Sequence, residues 1–467
     1  MGNQRSDDRI LPLKTTTSRC PICHLPCPAT ISLESEGPRV LLTRTCPQHG
    51  STSGCIASDS RFYWLAKGHP KNADCCGKSG EEESLENQMA CCAADPSANG
   101  LLGRNAHRDE HSPFETLSTC LALIEIVTSC NLSCPTCYAN SPLGAGEKVD
   151  AIPLDDLQRR IQGVIDRKGK IEILQFSGGE PTLHPQFFEL LAWAKENPNI
   201  DYVLLNTNGV RLAQEPEFSS RLGALFSGGG LQLYLQFDGV DKAGQQSLRG
   251  ADLRAMREKA IARCGELNIP ITLAMTVTPE NLSQVWKTIE YGLTFAHIHG
   301  ITFQPVFGSG RNPATKPAVR LNTADILLAA IEQSNGRLQI EDFTPLPCGD
   351  PNCATIGYLI RRDGKTYPVS DFIDFQQLHG FLKDKIHYTM DDLARCGCET
   401  EPLGRLLKTL ELKSSNTFRL MVKPFMDAWT WDQDRIDRCC THVIRPDGKL
   451  DSFCRYYSGF PDTQAAP

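Results

Sequence analysis

Short apolar runs and helical periodicity alternate through the middle of the chain. Residues 121–127, 171–176, 202–205, 231–237, 271–277 and 301–307 are apolar enough for buried strands. Between them, residues 153–167, 185–196, 212–226, 252–267 and 281–296 place apolar positions three and four apart, as an amphipathic helix does. Such a series predicts six β/α repeats, which build a parallel sheet covered by helices, either doubly wound or a full or partial barrel. In both arrangements ligands gather at the carboxyl ends of the strands. Those ends are polar or glycine-rich here: Ser177-Gly178-Gly179-Glu180-Pro181-Thr182, Asn206-Thr207-Asn208-Gly209, Asp238-Gly239 and Gly308-Ser309-Gly310.

The pattern changes on both sides of this α/β series. Residues 1–67 are predicted to form a Cys-rich metal-binding ribbon, and in 68–115 the apolar pattern fades into Gly, Ser, Glu and Asn, a linker or insertion. The α/β core is expected over 116–335 and a Cys-rich extension over 336–467. A chain of 467 residues has room for several domains with sizeable cores. The net charge of -7 argues against a nucleic-acid binder, which would show a basic excess. No apolar run approaches the roughly 18 residues of a membrane span. Arg5, Asp7, Asp8 and Arg9 interrupt any secretory segment, so a cytoplasmic location is expected.

Composition matters most at cysteine, of which there are 21. Without a secretory signal a disulfide framework is not expected, and clustered thiols in a reducing compartment point to metal. In the N-terminal module, Cys20-Pro21-Ile22-Cys23 and Cys46-Pro47-Gln48-His49 are two ligand knuckles separated by 22 residues, as in a zinc ribbon or rubredoxin site. Cys20, Cys23 and Cys46 are three ligands of this mononuclear Fe or Zn site, and His49, Cys27 or Cys55 is the fourth. Cys75-Cys76 and Cys91-Cys92 are doublets in the linker, read either as cluster ligands together with Cys120 or as regulatory or adventitious thiols. In the C-terminal region, Cys348 and Cys353 stand five apart, and Cys439-Cys440 precede a hairpin turning at Asp447-Gly448 that returns Cys454 toward them. Cys264 lies in a helical stretch and reads as a small buried hydrophobe.

The loop after the first strand of the core is Cys130-Asn131-Leu132-Ser133-Cys134-Pro135-Thr136-Cys137-Tyr138. Three thiolates in eight residues can hold three irons of a four-iron cluster, whereas tetrahedral zinc needs a fourth ligand nearby. The C-x3-C-x2-C spacing, the aromatic after it and Gly-Gly-Glu-Pro on the next strand end together resemble the radical S-adenosylmethionine (SAM) superfamily over residues 116–310. The resemblance implies a partial (β/α)6 barrel with Cys130, Cys134 and Cys137 holding a [4Fe-4S] cluster. The iron left without a cysteine would be chelated by SAM. It also implies that Gly178, Gly179 and Glu180 meet the SAM amino group, and that Tyr138 covers the cluster and adenine region. Asn206, Asn208 and Asp238 are further cofactor-binding candidates, with Thr207 and Thr276 beside them, and Arg249 could clamp a carboxylate. In that superfamily the reduced cluster splits SAM to a 5'-deoxyadenosyl radical, and an electron donor of low potential, of flavodoxin or ferredoxin type, is a required partner.

The outer motifs resemble one branch, the tetraether-lipid synthases and related dihydropterin-type radical SAM methyltransferases. The matching residues are Cys-Pro-x-Cys with Cys-Pro-x-His-Gly, the strand from Cys120 to Glu125, Pro-Cys-x4-Cys, and Cys-Cys-x-His with Pro-Asp-Gly and Phe-Cys. That branch implies auxiliary iron-sulfur clusters, here on Cys348, Cys353, Cys439, Cys440 and Cys454. It also implies formation of a C–C or C–methyl bond at an unactivated carbon of a lipid-like or other small molecule. A peptide-modifying maturase and a SAM cleavage that transfers an aminocarboxypropyl group are the alternatives. A metal-binding scaffold without catalysis leaves Gly-Gly-Glu unexplained. For a lipid substrate Phe425, Met426, Trp429 and Trp431 could line a channel, although core packing suits such residues better.

Overall fold

A computed structural model describes residues 11–64, 117, 119–144, 148–227, 229–312, 320–346, 349–372 and 416–460. Cys75, Cys76, Cys91, Cys92, Cys348, Cys396 and Cys398 lie outside the described residues.

Four strands at the N-terminus, β1 (Leu11–Arg19), β2 (Pro26–Leu33), β3 (Val40–Cys46) and β4 (Gly50–Ala57), form an antiparallel sheet in chain order. Ala29, Ile31, Val40, Leu42, Ala57 and Tyr63 bury one small core there. The Cys20–Cys23 knuckle fills the β1–β2 turn and the Cys46–His49 knuckle the β3–β4 turn, so a simple meander brings the two knuckles to one end.

The large sheet is built on six consecutive parallel strands: β5 (Leu121–Val127), β6 (Ile173–Gly178), β7 (Val203–Thr207), β8 (Leu231–Gln236), β9 (Ile271–Val277) and β10 (Ile298–Pro305). They pair in chain order, and the described residues show no ladder between β5 and β10, so the sheet is an open, partial barrel. Helices α1 (Leu154–Lys168), α2 (Phe187–Glu196), α3 (Val210–Gln214), α4 (Pro216–Phe226), α5 (Lys242–Arg249), α6 (Arg254–Glu266), α7 (Val285–Leu293) and α8 (Thr323–Gln333) dress it. In α1 the residues Leu157, Ile161, Val164 and Ile165 are buried at helical spacing, which is the stripe that holds the helix on the sheet. The stretch expected as one helix over 212–226 is two, because Pro216 has no N–H to continue α3 and instead opens α4.

Both edges of the six-strand series are extended by the C-terminal region. Strand β14 (Thr417–Val422) runs parallel to β10, and β15 (Thr441–Ile444) runs parallel to β5. Beyond β14 lie the antiparallel strands β12 (Thr355–Arg362), β11 (Thr344–Pro345) and β13 (Lys365–Pro368), and beyond β15 lies β16 (Leu450–Ser452). The residues between β14 and β15, including α9 (Gln433–Asp437), therefore cross from one edge of the open barrel to the other. Lys423 Nζ donates to Thr441 Oγ1 at 2.9 Å, tying the two edges by side chains.

The N-terminal sheet docks on that crossing segment. Arg44 is almost wholly buried and donates to Ala428 O at 2.5 Å and Trp429 O at 2.6 Å, while Lys14 pairs with Asp432 at 2.7 Å. Burial pushes Arg44 down to about 10, which still leaves it protonated at neutral pH. Arg44→Met should fill the volume but orphan both carbonyls, at a cost of about 2–3 kcal/mol. Urea unfolding of the full chain measures this, and a change below about 0.5 kcal/mol would show that the contact does not hold the sheet in place.

Candidate active site

Strand ends of the parallel sheet converge on one cavity of about 240 Å³. Its walls include Cys130, Cys134, Cys137, Tyr138, Gly178, Gly179, Glu180, Asn206, Asn208 and Asp238, so the core candidates named from the sequence share one site.

The cysteine loop is anchored on several sides. Gly179 N–H donates to Val127 O at 2.8 Å and Glu180 N–H to Ser129 O at 3.0 Å, pinning the root of the loop to the end of β6. These contacts explain the two glycines. A Cβ on Gly178 would stand 2.1 Å from Val127 O, and one on Gly179 would stand 2.0 Å from Ser129 O. At the far end of the loop, Cys137 and Arg311 exchange backbone hydrogen bonds of 2.7 and 2.9 Å, and Arg311 Nε reaches Cys134 O at 2.8 Å. Gly310, at φ +57, leaves no room for a Cβ against Cys137 O and Tyr138 O. Arg249 NH1 adds a bond to Thr136 O at 3.2 Å.

Glu180 is fully buried. Its oxygens accept from Thr182 Oγ1 and Thr207 Oγ1 at 2.7 Å each, from Asn208 N–H at 2.7 Å and from Thr182 N–H at 3.3 Å. Burial raises its pKa against these bonds. Asn208 Nδ2 in turn donates to Asn131 Oδ1 at 2.6 Å and lies 3.7 Å from Cys130 Sγ, so Glu180 orients the amide beside the first cysteine. Asn206 bridges Gln175 at 2.5 Å and Ser177 at 3.1 Å. Asp238 holds the left-handed conformation (φ 63), and its carboxylate binds Arg249 through two bonds of 2.6 and 2.8 Å and Thr276 N–H at 3.1 Å. Tyr138 OH meets Ser177 Oγ at 3.1 Å, and its ring packs edge-on to Tyr457 at 4.9 Å and against Phe453 at 5.7 Å. Those two come from the short helix α10 (Phe453–Ser458), which closes the cavity beside the cysteine loop.

The donor set tests what the loop can hold. Three thiols line the cavity, and no fourth Cys or His does so among the described residues; the two acids there, Glu180 and Asp238, are already engaged. This fits a cubane with three protein ligands and does not fit tetrahedral zinc. Burial, followed by the charge of Glu180, pushes the Cys130 thiol up to about 12, so loading metal must release protons.

Part of the lining was not foreseen. Gln175, Tyr234, Gln304, Arg419, Met421 and Lys423 supply it, with Arg419, Met421 and Lys423 on one face of the β14 line. Of the apolar residues considered for a channel, Phe425 reaches the cavity, whereas Met426 and Trp431 are buried in a small core with Cys454.

At the ribbon, Cys20, Cys23, Cys46 and His49 place their ligand atoms within 4.8 Å of one another. Cys23 and Cys46 Sγ are 3.8 Å apart, and His49 Nδ1 is 3.6 Å from Cys20 and Cys46 Sγ. A zinc–sulfur tetrahedron with bonds of about 2.3 Å has edges of about 3.8 Å, so these four fit a closed mononuclear site. Cys27 packs beside them, and Cys55 turns away to Ala57 O.

Charge on the C-terminal thiols acts between Cys353, Cys439 and Cys440 and between Cys454 and the first two, but among the described residues only the ribbon brings three or more ligand atoms within 4.8 Å of one another. Cys120, weighed from sequence as a cluster ligand with the linker doublets, packs instead by Cys440: its N–H donates to Cys440 O at 2.9 Å, because β15 pairs with β5 from Leu121 onward.

A parallel partial barrel with a three-cysteine loop at the end of its first strand is the architecture of a radical SAM enzyme. The chain carries a domain of that class: the Radical SAM superfamily model matches residues 124–292, and the HMPTM N-terminal zinc ribbon domain model matches residues 12–58. The 7,8-dihydro-6-hydroxymethylpterin dimethyltransferase of Methanocaldococcus jannaschii is 28% identical over 95% of this chain and 93% of its own length. Two others match over about a third of the chain. GTP 3',8-cyclase of Chlorobaculum tepidum is 31% identical over 30% of this chain and 39% of its own, and PqqA peptide cyclase of Gluconobacter oxydans is 34% identical over 35% and 43%. A [4Fe-4S] cluster and SAM are thus the cofactors, with a further metal site in the ribbon. No helix among the described residues is long and apolar enough to cross a membrane.

Proposed function

We propose that this radical SAM enzyme forms a C–methyl or C–C bond at a carbon of a small, polar, pterin-like heterocycle. The observation that carries the reading is the cavity's mixed lining, in which the cysteine loop shares one space with amide, phenol and cationic side chains. A ring with several donors and acceptors finds partners in Gln175, Tyr234 and Gln304, and a lipid chain does not. The relative that this chain matches over nearly its full length, and whose name carries a pterin, supports the same substrate class. The match to a peptide cyclase covers only 35% of this chain, and so gives its substrate class less support.

In this reading Cys130, Cys134 and Cys137 hold the [4Fe-4S] cluster. Cluster and SAM together supply one-electron chemistry that no side chain offers. The chain's own residues position and exclude. Glu180 fixes Asn208 beside Cys130, Asp238 fixes Arg249 under Thr136, and Tyr138, Phe307 and Phe453 keep water from the cluster side. Cys20, Cys23, Cys46 and His49 hold zinc or iron structurally. Cys353, Cys439, Cys440 and Cys454, with Cys120 and Cys348, hold auxiliary iron-sulfur chemistry, and a soluble low-potential protein supplies electrons.

The test is mass spectrometry of reduced, reconstituted enzyme with SAM and a 7,8-dihydropterin. Dependent release of 5'-deoxyadenosine and a pterin heavier by a methyl group or a multiple of it are expected. Methylthioadenosine as the only SAM product would show aminocarboxypropyl transfer instead, and an unchanged pterin alongside a modified peptide or lipid from extracts would overturn the substrate class.

A further inference from the structure

Gln175, Gln236 and Gln304 all line the cavity, and their partners fix them to different degrees. Gln175 Nε2 donates to Asn206 Oδ1 at 2.5 Å, and Gln304 Nε2 donates to the Tyr234 hydroxyl at 3.1 Å. An amide or a phenol can give or take a hydrogen bond, so both of these side chains can turn over and stay satisfied. Gln236 cannot. Its Oε1 accepts from Arg257 Nη2 at 2.6 Å, and a guanidinium only donates. The amide nitrogen of Gln236 is therefore the end left for another partner, and among the described residues it has none. Unlike Nε and Nη1 of Arg257, which are sealed without a partner, that nitrogen keeps accessible surface at a residue of the cavity lining.

Arg257 is 1% exposed and sits on the buried stripe of α6 with Ala260, Ile261 and Cys264, where helical packing calls for an apolar side chain. Its one side-chain acceptor among the described residues is a neutral amide, because Asp238, the acid whose charge acts on it most, is held by two bonds to Arg249. Burying a guanidinium in this way costs stability. Its local consequence is a fixed orientation of Gln236. Gln236 stands two residues from Tyr234 on the same face of β8, in the amide and phenol part of the lining.

We propose that Arg257 is a positioning residue that turns the Gln236 amide N–H into the cavity, where it holds the ring carbonyl oxygen of the heterocyclic substrate. The inference rests on the heterocycle reading given under Proposed function. Gln175 and Gln304 adapt to the other donors and acceptors of the ring, and Gln236 decides which way round the ring enters. An analogue with an amino group in place of that carbonyl sets N–H against N–H and is rejected.

The experiment titrates reconstituted full-length protein with 7,8-dihydropterin and with 2,4-diamino-7,8-dihydropteridine, in which an amino group replaces the ring carbonyl. Binding is followed by fluorescence, with SAM binding and iron content measured alongside. Wild type should bind the oxo compound at least about tenfold more tightly. Gln236→Glu offers a carboxylate oxygen where the N–H stood, and should reverse the order. Arg257→Met frees the amide to turn and should bring the two dissociation constants together, while Arg257→Lys should restore most of the preference. Iron content should stay at the wild-type value, and Gln236→Glu decides the matter even where Arg257→Met fails to fold. If wild type binds the two compounds equally, or Gln236→Glu keeps the wild-type order, the inference falls and the heterocycle reading stands. Loss of SAM binding in Gln236→Glu with the order unchanged would overturn it in favour of a SAM contact. A wild type that binds neither compound overturns both the heterocycle reading and the inference.

Discussion

Chains in which Cys130, Cys134 and Cys137 are all replaced by alanine should hold about four fewer irons than wild type after anaerobic reconstitution, and should release no 5'-deoxyadenosine above background. The three thiols leave the backbone at one loop that is pinned to β6, to Arg311 and to Arg249, so they are presented together before any metal arrives. No neighbouring Cys or His among the described residues lines the cavity to replace one that is lost. The loss should be confined to this centre, because the ribbon ligands and the C-terminal thiols sit on other elements. Cys264→Ala is the control: that thiol is wholly buried in the core, so its removal should cost on the order of 1 kcal/mol and no iron. Unchanged iron in the triple variant would sink the cluster assignment, and equal loss in Cys264→Ala would mean that iron content reports folding.

What was legible in the sequence is what is written locally. A three-cysteine loop, a Gly-Gly-Glu strand end and two ligand knuckles are each set by neighbours in the chain, and the fold then brings the loop and the strand ends to one cavity. Strand positions were visible for the same reason, since dense apolar runs such as 121–127, broken only by Glu125, have few alternatives to a buried strand. The fourth ribbon position stayed open because it depends on the β3–β4 turn, which swings His49 rather than Cys55 toward Cys20. Long-range pairing was not legible. Nothing in residues 417–422 says that they will extend the parallel sheet beside β10, and from that single pairing follow the cations on the cavity wall and the crossing segment that carries Arg435. Cys120 is the same case, since its place beside Cys440 comes from the β15–β5 register, 320 residues apart in the chain at Leu121 and Thr441.

Gly179→Ala should damage the site without removing any candidate ligand. The φ of Gly179 is not in the left-handed region, so alanine is allowed there by the backbone, and the cost is one of space alone. The new methyl would lie 2.0 Å from Ser129 O, 2.4 Å from Ser129 C and 2.7 Å from Thr128 O. All three are backbone atoms, so no side-chain rotation relieves the overlap, and the loop root must move away from β6. Overpacking of this kind costs about 3 kcal/mol at its upper end. The displaced Ser129 precedes Cys130, so the movement is passed directly to the first thiol, and it also breaks the Glu180 N–H to Ser129 O bond that aligns Glu180 with Asn208. Lower iron loading and a lower unfolding midpoint in urea are expected together. Gly336→Ala supplies the comparison, since its φ of +84 strains an alanine but nothing lies within 4 Å of the added methyl. There the cost should be about 1 kcal/mol, with iron untouched. If alanine at 179 leaves both iron and stability at wild-type values, the close approach of β6 to the loop root is not what holds the cysteines in place.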